Sequence, residues 1–359
     1  MKSLQKALGV GVFCGVFCGV AAAGFSGIAS AQSVEEFYKG KQVKLVIGAA
    51  VAGGYDTYGR LFARLMPRHI PGNPTMIVQI MPGAGGVVAA NYLYNIAPKD
   101  GLTLGTVQRQ IPEGPLVGMQ GVQFDATKFN WIGSLNNEVS ICVSWHTAAV
   151  KTFKDAFDKE LIVGAQRQAN TEQYPSIFNN LLGTKFKIIA GYTGGGSVLL
   201  AMERGEVEGR CSWSWSSIVV QKPDWLRDKK INLLAQISLA GHPDLPDVPL
   251  VMDFAKSDSD KQVLEFLFAR NVLGRPFLAP PGVPGERVVA LRAAFDAMVK
   301  DKDVIAEFKK VKQELTPVGG ETIQNLIGRL YATPKDIIAK ARKATTWHGT
   351  VVRPAKGKK

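Results

Sequence analysis

Val43-Lys44-Leu45-Val46-Ile47-Gly48-Ala49-Ala50-Val51-Ala52-Gly53-Gly54-Tyr55-Asp56-Thr57 runs from an apolar stretch through a small-residue loop into an amphipathic segment. Val43 to Ile47 reads as a strand, Ala49 to Gly54 as the loop that leaves it, and Asp56 as the N-cap of a helix with Leu61, Phe62 and Leu65 on one side. The pattern recurs twice. Met76 to Ile80 is a second strand that ends at Pro82-Gly83-Ala84-Gly85-Gly86. A helix through Ala89, Leu93 and Ile96 follows and stops before Pro98. Leu102 to Val107 is a third strand, ending at Gln108-Arg109-Gln110. Strands apolar on both faces, separated by helices, point to a covered parallel sheet.

A second unit opens near Trp131. Ile141 to Trp145, Leu161 to Val163, Phe186 to Ile189, Gly209 to Ser214 and Leu233 to Ile237 read as strands. Another glycine-rich loop, Gly191 to Ser197, leads into a helix that ends near Gly205. Beyond the turn-rich connector Pro243 to Pro249 come helical stretches, clearest where Val288, Leu291, Phe295 and Met298 recur at helical spacing behind Pro284. The expected fold class is α/β with two lobes: residues 32–137 with 262–359 in the first, and 138–261 in the second.

Residues 1–31 read as an export signal. Lys2 and Lys6 precede an uncharged stretch from Ala7 to Phe25, and Ala29-Ser30-Ala31 supplies small residues for cleavage before Gln32. Phe13 and Phe17 stand before Cys14 and Cys18 where a lipoprotein needs a small residue. No later segment is long and apolar enough to span a bilayer, so the mature protein is expected in the periplasm. The 359-residue chain carries a formal charge of +13, and the signal removes only two lysines, leaving +11. The basic residues are scattered, with one cluster in the tail Arg353 to Lys359, so no nucleic-acid partner is expected; a basic surface suits anionic solutes. Cys142 and Cys211 remain after cleavage. An oxidising compartment permits a bridge between them; two buried thiols are the alternative.

The chemistry lies in glycine-rich loops at the carboxyl ends of strands, where open α/β sheets bind ligands. Glycine lets backbone N–H groups approach a ligand, and the helix N-terminus that follows favours an anion. Candidate binding residues are Gly53, Gly54, Tyr55, Asp56 and Thr57 in the first loop and Pro82, Gly83, Ala84, Gly85 and Gly86 in the second. Arg109 follows a strand end and suits a carboxylate. Gln166, Tyr192 and Thr193 offer neutral hydrogen bonds. Trp213 and Trp215 alternate on a strand, which would turn both to one side, either lining a cleft or filling a core. Enzyme signatures are missing from the sequence. Gly83-Ala84-Gly85 meets Val88 where a dinucleotide fingerprint needs a small residue, and there is neither a P-loop nor a G-x-S-x-G elbow. His69, His146, His242 and His348 are dispersed, so no metal site, cofactor or catalytic residue is expected.

Together these stretches resemble the receptors of the tripartite tricarboxylate transporters, the TctC or Bug type. The resemblance runs from Val46-Ile47-Gly48 and Gly53 to Arg60 through Pro82 to Gly86, Ala89-Ala90-Asn91 and Pro98-Lys99-Asp100-Gly101. It resumes at Trp131 to Ser134, Gly191 to Gly195, Ala201 to Gly209 and Ala279 to Pro284. It implies a type II Venus-flytrap solute-binding protein, with a small carboxylate held between the loops at Gly53 and Pro82. The second lobe would close over it with Gln166, Tyr192 and Thr193, and integral-membrane permease subunits would receive the solute. The family's ligands include di- and tricarboxylates, amino acids and aromatic acids. Arg210-Cys211-Ser212-Trp213-Ser214-Trp215 departs from its commonest pattern, and the tryptophans suggest a flat or aromatic acid. A sensor subunit that presents its ligand to a membrane kinase is the alternative in the same compartment, and an exported enzyme the more distant one.

Overall fold

The structure is a computed structural model that describes residues 32–351; the expected signal segment and the basic tail lie outside them. The strands are β1 Gln42–Ile47, β2 Thr75–Ile80, β3 Thr103–Thr106, β4 Asn130–Ser134, β5 Ser140–Trp145 and β6 Leu161–Ala165. They continue with β7 Phe186–Ala190, β8 Gly209–Ser214, β9 Ile231–Ile237, β10 Pro276–Ala279, β11 Val318–Gly319 and β12 Thr350–Val351. They form two six-stranded sheets, in the orders β11-β4-β10-β3-β1-β2 and β12-β7-β6-β8-β5-β9.

Each sheet is covered on both faces. On β1, Val43, Leu45 and Ile47 enter one core with the helices Gly54–Leu65 and Gly285–Met298. Val46 enters the opposite core with the helices Val87–Asn95 and Gly320–Tyr331. This is why β1 reads as a largely apolar strand, interrupted from Val43 onward only by Lys44. β2 is the edge strand, and its side chains alternate in exposure. The sheet is mixed, unlike the expected parallel one, because β10 inserts antiparallel between β3 and β4. That return strand is a four-residue run between Arg275 and Pro280, too short to show a period in sequence.

In the second sheet, Leu161 and Val163 of β6 face a core shared with the helices Asp258–Phe268 and Lys335–Ala344. The segment 262–359 is therefore divided between the two sheets' cores. The other face buries Ile141, Val143, Met202, Trp213 and Trp225. β8 ends at Ser214, and Trp215 opens the helix Trp215–Gln221. The two tryptophans thus do not alternate on one strand, because the backbone turns into a helix between them.

Cys142 of β5 and Cys211 of β8 are bridged by a disulfide that closes a sequence separation of 69. A Cys142→Ala/Cys211→Ala variant should lose about 2–4 kcal/mol of stability, mainly through the freed unfolded chain. Urea unfolding checks this; an unchanged midpoint contradicts it.

The chain passes between the sheets from β4 to β5, from β9 to β10, and again from β11 to β12. Buried ion pairs lie beside these passages: Arg275 Nη2 is 3.3 Å from Glu138 and Arg270 Nε is 2.7 Å from Glu113. Half-buried Glu314, just before β11, feels Glu138 as a like charge. Burial first, and Glu138 second, push its pKa from 4.5 up to about 7, against smaller opposing effects of Thr316 and Arg275. The folded protein therefore holds a proton there that the unfolded chain releases. This contribution is complete below about pH 4.5 and is lost as pH rises through 7. Glu314→Gln should raise the melting temperature at pH 8 and flatten its fall between pH 5 and 8. A pH slope identical to that of the parent protein would count against this.

Candidate functional site

Loops leaving β1, β3, β6 and β7 meet the body of β8 between the two sheets and enclose a cavity of about 110 Å³. The helix after β1 starts with Gly53 at its N-cap in extended conformation. Gly54 follows where any side chain would collide: a Cβ there would lie 2.6 Å from Arg275 Nη2 and 2.9 Å from Ser217 Oγ. The two sides touch at Gly194, where a Cβ would meet that of Ala50 at 3.3 Å. They touch again where Gly85 packs against the Gln168 backbone, bridged by Gln110 Nε2, which donates to the Gly85 carbonyl at 2.8 Å.

Arg109, at the end of β3, is 3% exposed. Its backbone N–H donates to the Tyr55 hydroxyl at 2.9 Å. Its Nη2 donates to Ser140 Oγ at 2.7 Å and to Ser214 Oγ at 3.5 Å. Nε and Nη1 are buried with no partner. Arg210, on β8, is 8% exposed. Its Nη1 donates to the Gly195 carbonyl at 3.1 Å and its Nη2 to the Ser212 carbonyl at 3.5 Å, while Nε has no partner. The Ser212 backbone has φ +67°, beside an irregularity in the β5–β8 pairing. Among the described residues neither arginine has a carboxylate within salt-bridge distance, whereas Arg270 and Arg275 each have one.

Burial, and then the charge of Arg109, pull the Arg210 pKa down to about 10, so both groups are still cations at neutral pH. Burial also acts to lower that of Arg109, but Tyr55, Tyr174, Glu138 and Glu113 outweigh it and the net shift is upward. Two buried cations with spare donors and no acid partner are costly on their own. A carboxylate placed between them would accept charge-assisted, bidentate hydrogen bonds.

Of the sequence candidates, Gly53, Gly54, Tyr55, Arg109, Gln166 and Trp213 line the cavity. Asp56 and Thr57 do not; they face a separate surface depression with Arg60. Asp56 lies inside the helix Gly54–Leu65 instead of capping it. Its Oδ2 accepts from the Ala52 N–H at 2.9 Å and its Oδ1 pairs with Arg60 Nε at 2.8 Å. Pro82, Gly83, Ala84, Gly85 and Gly86 are outside the cavity lining, and so are Tyr192 and Thr193. The 82–86 glycines meet a backbone need: Gly83, Gly85 and Gly86 have φ of +146°, +62° and +97°, and Gly85 touches Gln168. Trp213 is 1% exposed, with Arg210 and Trp225 against its ring, and Trp215 is not in the lining.

Sequence reading missed Arg210, Arg275, Asn170 and Thr171. Arg210 sits mid-strand, where an arginine looks like an outward-facing residue, and Arg275 lies far along the chain in a passage between sheets. Asn170 and Thr171 follow β6, so extending the strand-end rule past Gln166 would have found them. Among the described residues no group of three or more metal-ligating side chains stands together.

No protein-family model matches this chain, and neither does any curated protein. Solved structures share its fold. A TctC solute-binding protein from Polaromonas superposes with a TM-score of 0.59 at 21% identity, covering 84% of this chain and 99% of its own. MatC from Rhodopseudomonas palustris with bound malate gives 0.63 at 19% identity, covering 83% and 99%. A further R. palustris protein with adipate gives 0.64 at 19% identity, covering 84% and 97%. The fold is thus that of two-lobed periplasmic binding proteins.

Proposed function

We propose that this chain is an exported, periplasmic solute-binding protein that captures a small carboxylate between its lobes and delivers it to integral-membrane permease subunits of the tripartite tricarboxylate type. The observation that carries this reading is Arg109, buried beside the cavity with two unused donors and no acid partner. The shared fold with proteins solved with malate and adipate supports it. Among the described residues no helix is long and apolar enough to cross a membrane.

In this reading residues 138–261 form the core of the second lobe. The contacts come from the Gly53–Gly54–Tyr55 turn, Arg109, Gln166 and the end of β8 at Trp213. Asp56 stiffens the first loop by accepting from the Ala52 N–H, and the 82–86 loop holds the closed arrangement by its contact with residue 168. The protein does no chemistry on its solute; closure creates the surface that a permease reads.

Thermal-shift screening of the chain from Gln32 onward against mono-, di-, tricarboxylic and aromatic acids tests the proposal. An acid at 100 times its dissociation constant should add about 2.7 kcal/mol and be recovered chemically unchanged. No shift with any acid, or turnover of the bound one, would sink it. Mass spectrometry of periplasmic extract should find Gln32 as the N-terminal residue.

A further inference from the structure

Two loops of the second sheet line the cavity: one after β6 supplies Gln166, and one after β7 supplies Gly194 to Gly196. Residues 345–351 reach the roots of both. Past the helix Lys335–Ala344, Asn180 Nδ2 donates to the Ala344 and Thr346 carbonyls at 3.0 and 2.7 Å. The chain then pairs Thr350 and Val351 with Ile189 and Ala190, the end of β7. Gly349 allows this approach, since a Cβ there would lie 2.6 Å from the Ile188 carbonyl. Between these attachments Trp347 meets the other loop, and the Arg167 guanidinium stacks 3.8 Å from its ring centre. Arg167 Nη1 pairs with buried Glu172 at 2.8 Å, and Glu172 accepts from the Gln168 N–H at 3.3 Å. The Gln168 backbone packs on Gly85. An indole, a guanidinium, a carboxylate and an amide thus link the C-terminal segment to the contact that closes the cavity.

We infer that Trp347 is a positioning residue for the cavity: the segment 345–351 is a strap that holds the loop 166–168 in its closed orientation. The inference rests on the proposed reading of the cavity as the solute site. The loop borders open space, a second cavity of about 370 Å³ lined by Gln120, Arg167, Gln168, Glu172, Arg342 and Trp347. Gln168 has φ +55°, a conformation that a non-glycine residue keeps only where its surroundings enforce it. Those surroundings are Glu172 on its N–H and Gly85 against its carbonyl, and Arg167 carries the first of them to Trp347. The Trp347 indole N–H has no partner, so packing and the guanidinium hold the ring. Linkage makes the effect reciprocal: a strap that favours the closed loop is itself favoured by the solute.

Hydrogen exchange on the solute-free protein is the first test. Trp347→Ala should speed exchange of the amides of residues 166–169 by about tenfold or more. Trp347→Phe keeps a ring under Arg167 and should stay within about threefold of the parent. Gly349→Ala, which lifts the strap from Ile188, should speed the same amides. Exchange in β1, on the other sheet, should not change in any variant, which separates loop release from general destabilisation. The second test is calorimetry with whichever acid gives the largest shift in the thermal screen. Trp347→Ala should bind it about tenfold or more weakly, and the acid should slow exchange at Thr350 and Val351 in the parent. Unchanged loop exchange in Trp347→Ala, or parental affinity in that variant, overturns the inference and leaves the acid cavity standing. Failure of every acid to bind removes the proposed function instead, and loop exchange alone then decides for or against the strap.

Discussion

Arg109→Gln is expected to weaken acid binding by at least 100-fold and to abolish the ligand-induced rise in melting temperature. The side chain is held from two directions, by Ser140 and Ser214 at one end of its fork and by Tyr55 on its backbone. Its guanidinium is therefore fixed in place before any ligand arrives, and little rotamer freedom is lost on binding. Each hydrogen bond to a charged partner contributes about 1.5–3 kcal/mol. Losing two exceeds about 3 kcal/mol, which corresponds to a hundredfold or more in affinity. Arg109→Lys keeps the charge but cannot present two parallel donors, so it should recover only part of the loss. Calorimetry on both variants decides the matter, and an affinity within threefold of the parent for Arg109→Gln would remove Arg109 from the site.

Glu138→Ala should cost about 3–5 kcal/mol of folding stability, the usual penalty for orphaning a buried charge. Glu138 is 1% exposed and sits where the chain passes between sheets. Its Oε2 accepts from Asn136 Nδ2 at 2.8 Å and from Ser216 Oγ at 2.6 Å, and it pairs with Arg275 at 3.3 Å. Truncation would leave Arg275 as a third unpaired cation beside the cavity, against the start of the helix Gly54–Leu65. The same change should shift selectivity toward more highly charged acids. Glu138→Gln retains the packing and loses only the charge, so it should cost less than alanine. Chemical denaturation with an unchanged midpoint for Glu138→Ala would show that the pair does not hold the passage together.

The fold was legible because its signals are local. Val43 to Ile47 packs on both faces and reads as an apolar run broken only by half-buried Lys44, and the helix that follows shows its apolar side at i, i+3 and i+4. β10 was not legible, since four residues set just before Pro280 carry no period, and its antiparallel pairing depends on a partner more than a hundred residues away. The site divides in the same way. Arg109 announces itself by standing at the end of a strand. Arg210 does not, because facing inward depends on the irregular pairing near Ser212 and the closeness of Gly195.

Glycine was the misleading signal. The loop at Gly53 and the loop at Gly83 to Gly86 look alike in composition, and both were expected to bare amides to an anion. In the first, glycine leaves room for Arg275 and borders the cavity. In the second, it permits left-handed backbone and close contact with residue 168. Composition cannot separate these uses, because both need a missing Cβ. The tryptophans misled similarly: their spacing suggested one face of a strand, whereas β8 gives way to a helix between them.

A crystal structure with the tightest-binding acid of the thermal-shift screen would settle what the buried cations are for. A carboxylate should accept hydrogen bonds from the Arg109 guanidinium, with the Glu113 and Glu138 pairs unchanged. An acid bound away from both guanidinium groups, or an Arg109 turned to pair with a carboxylate of the protein itself, would contradict the anion socket from which everything above follows.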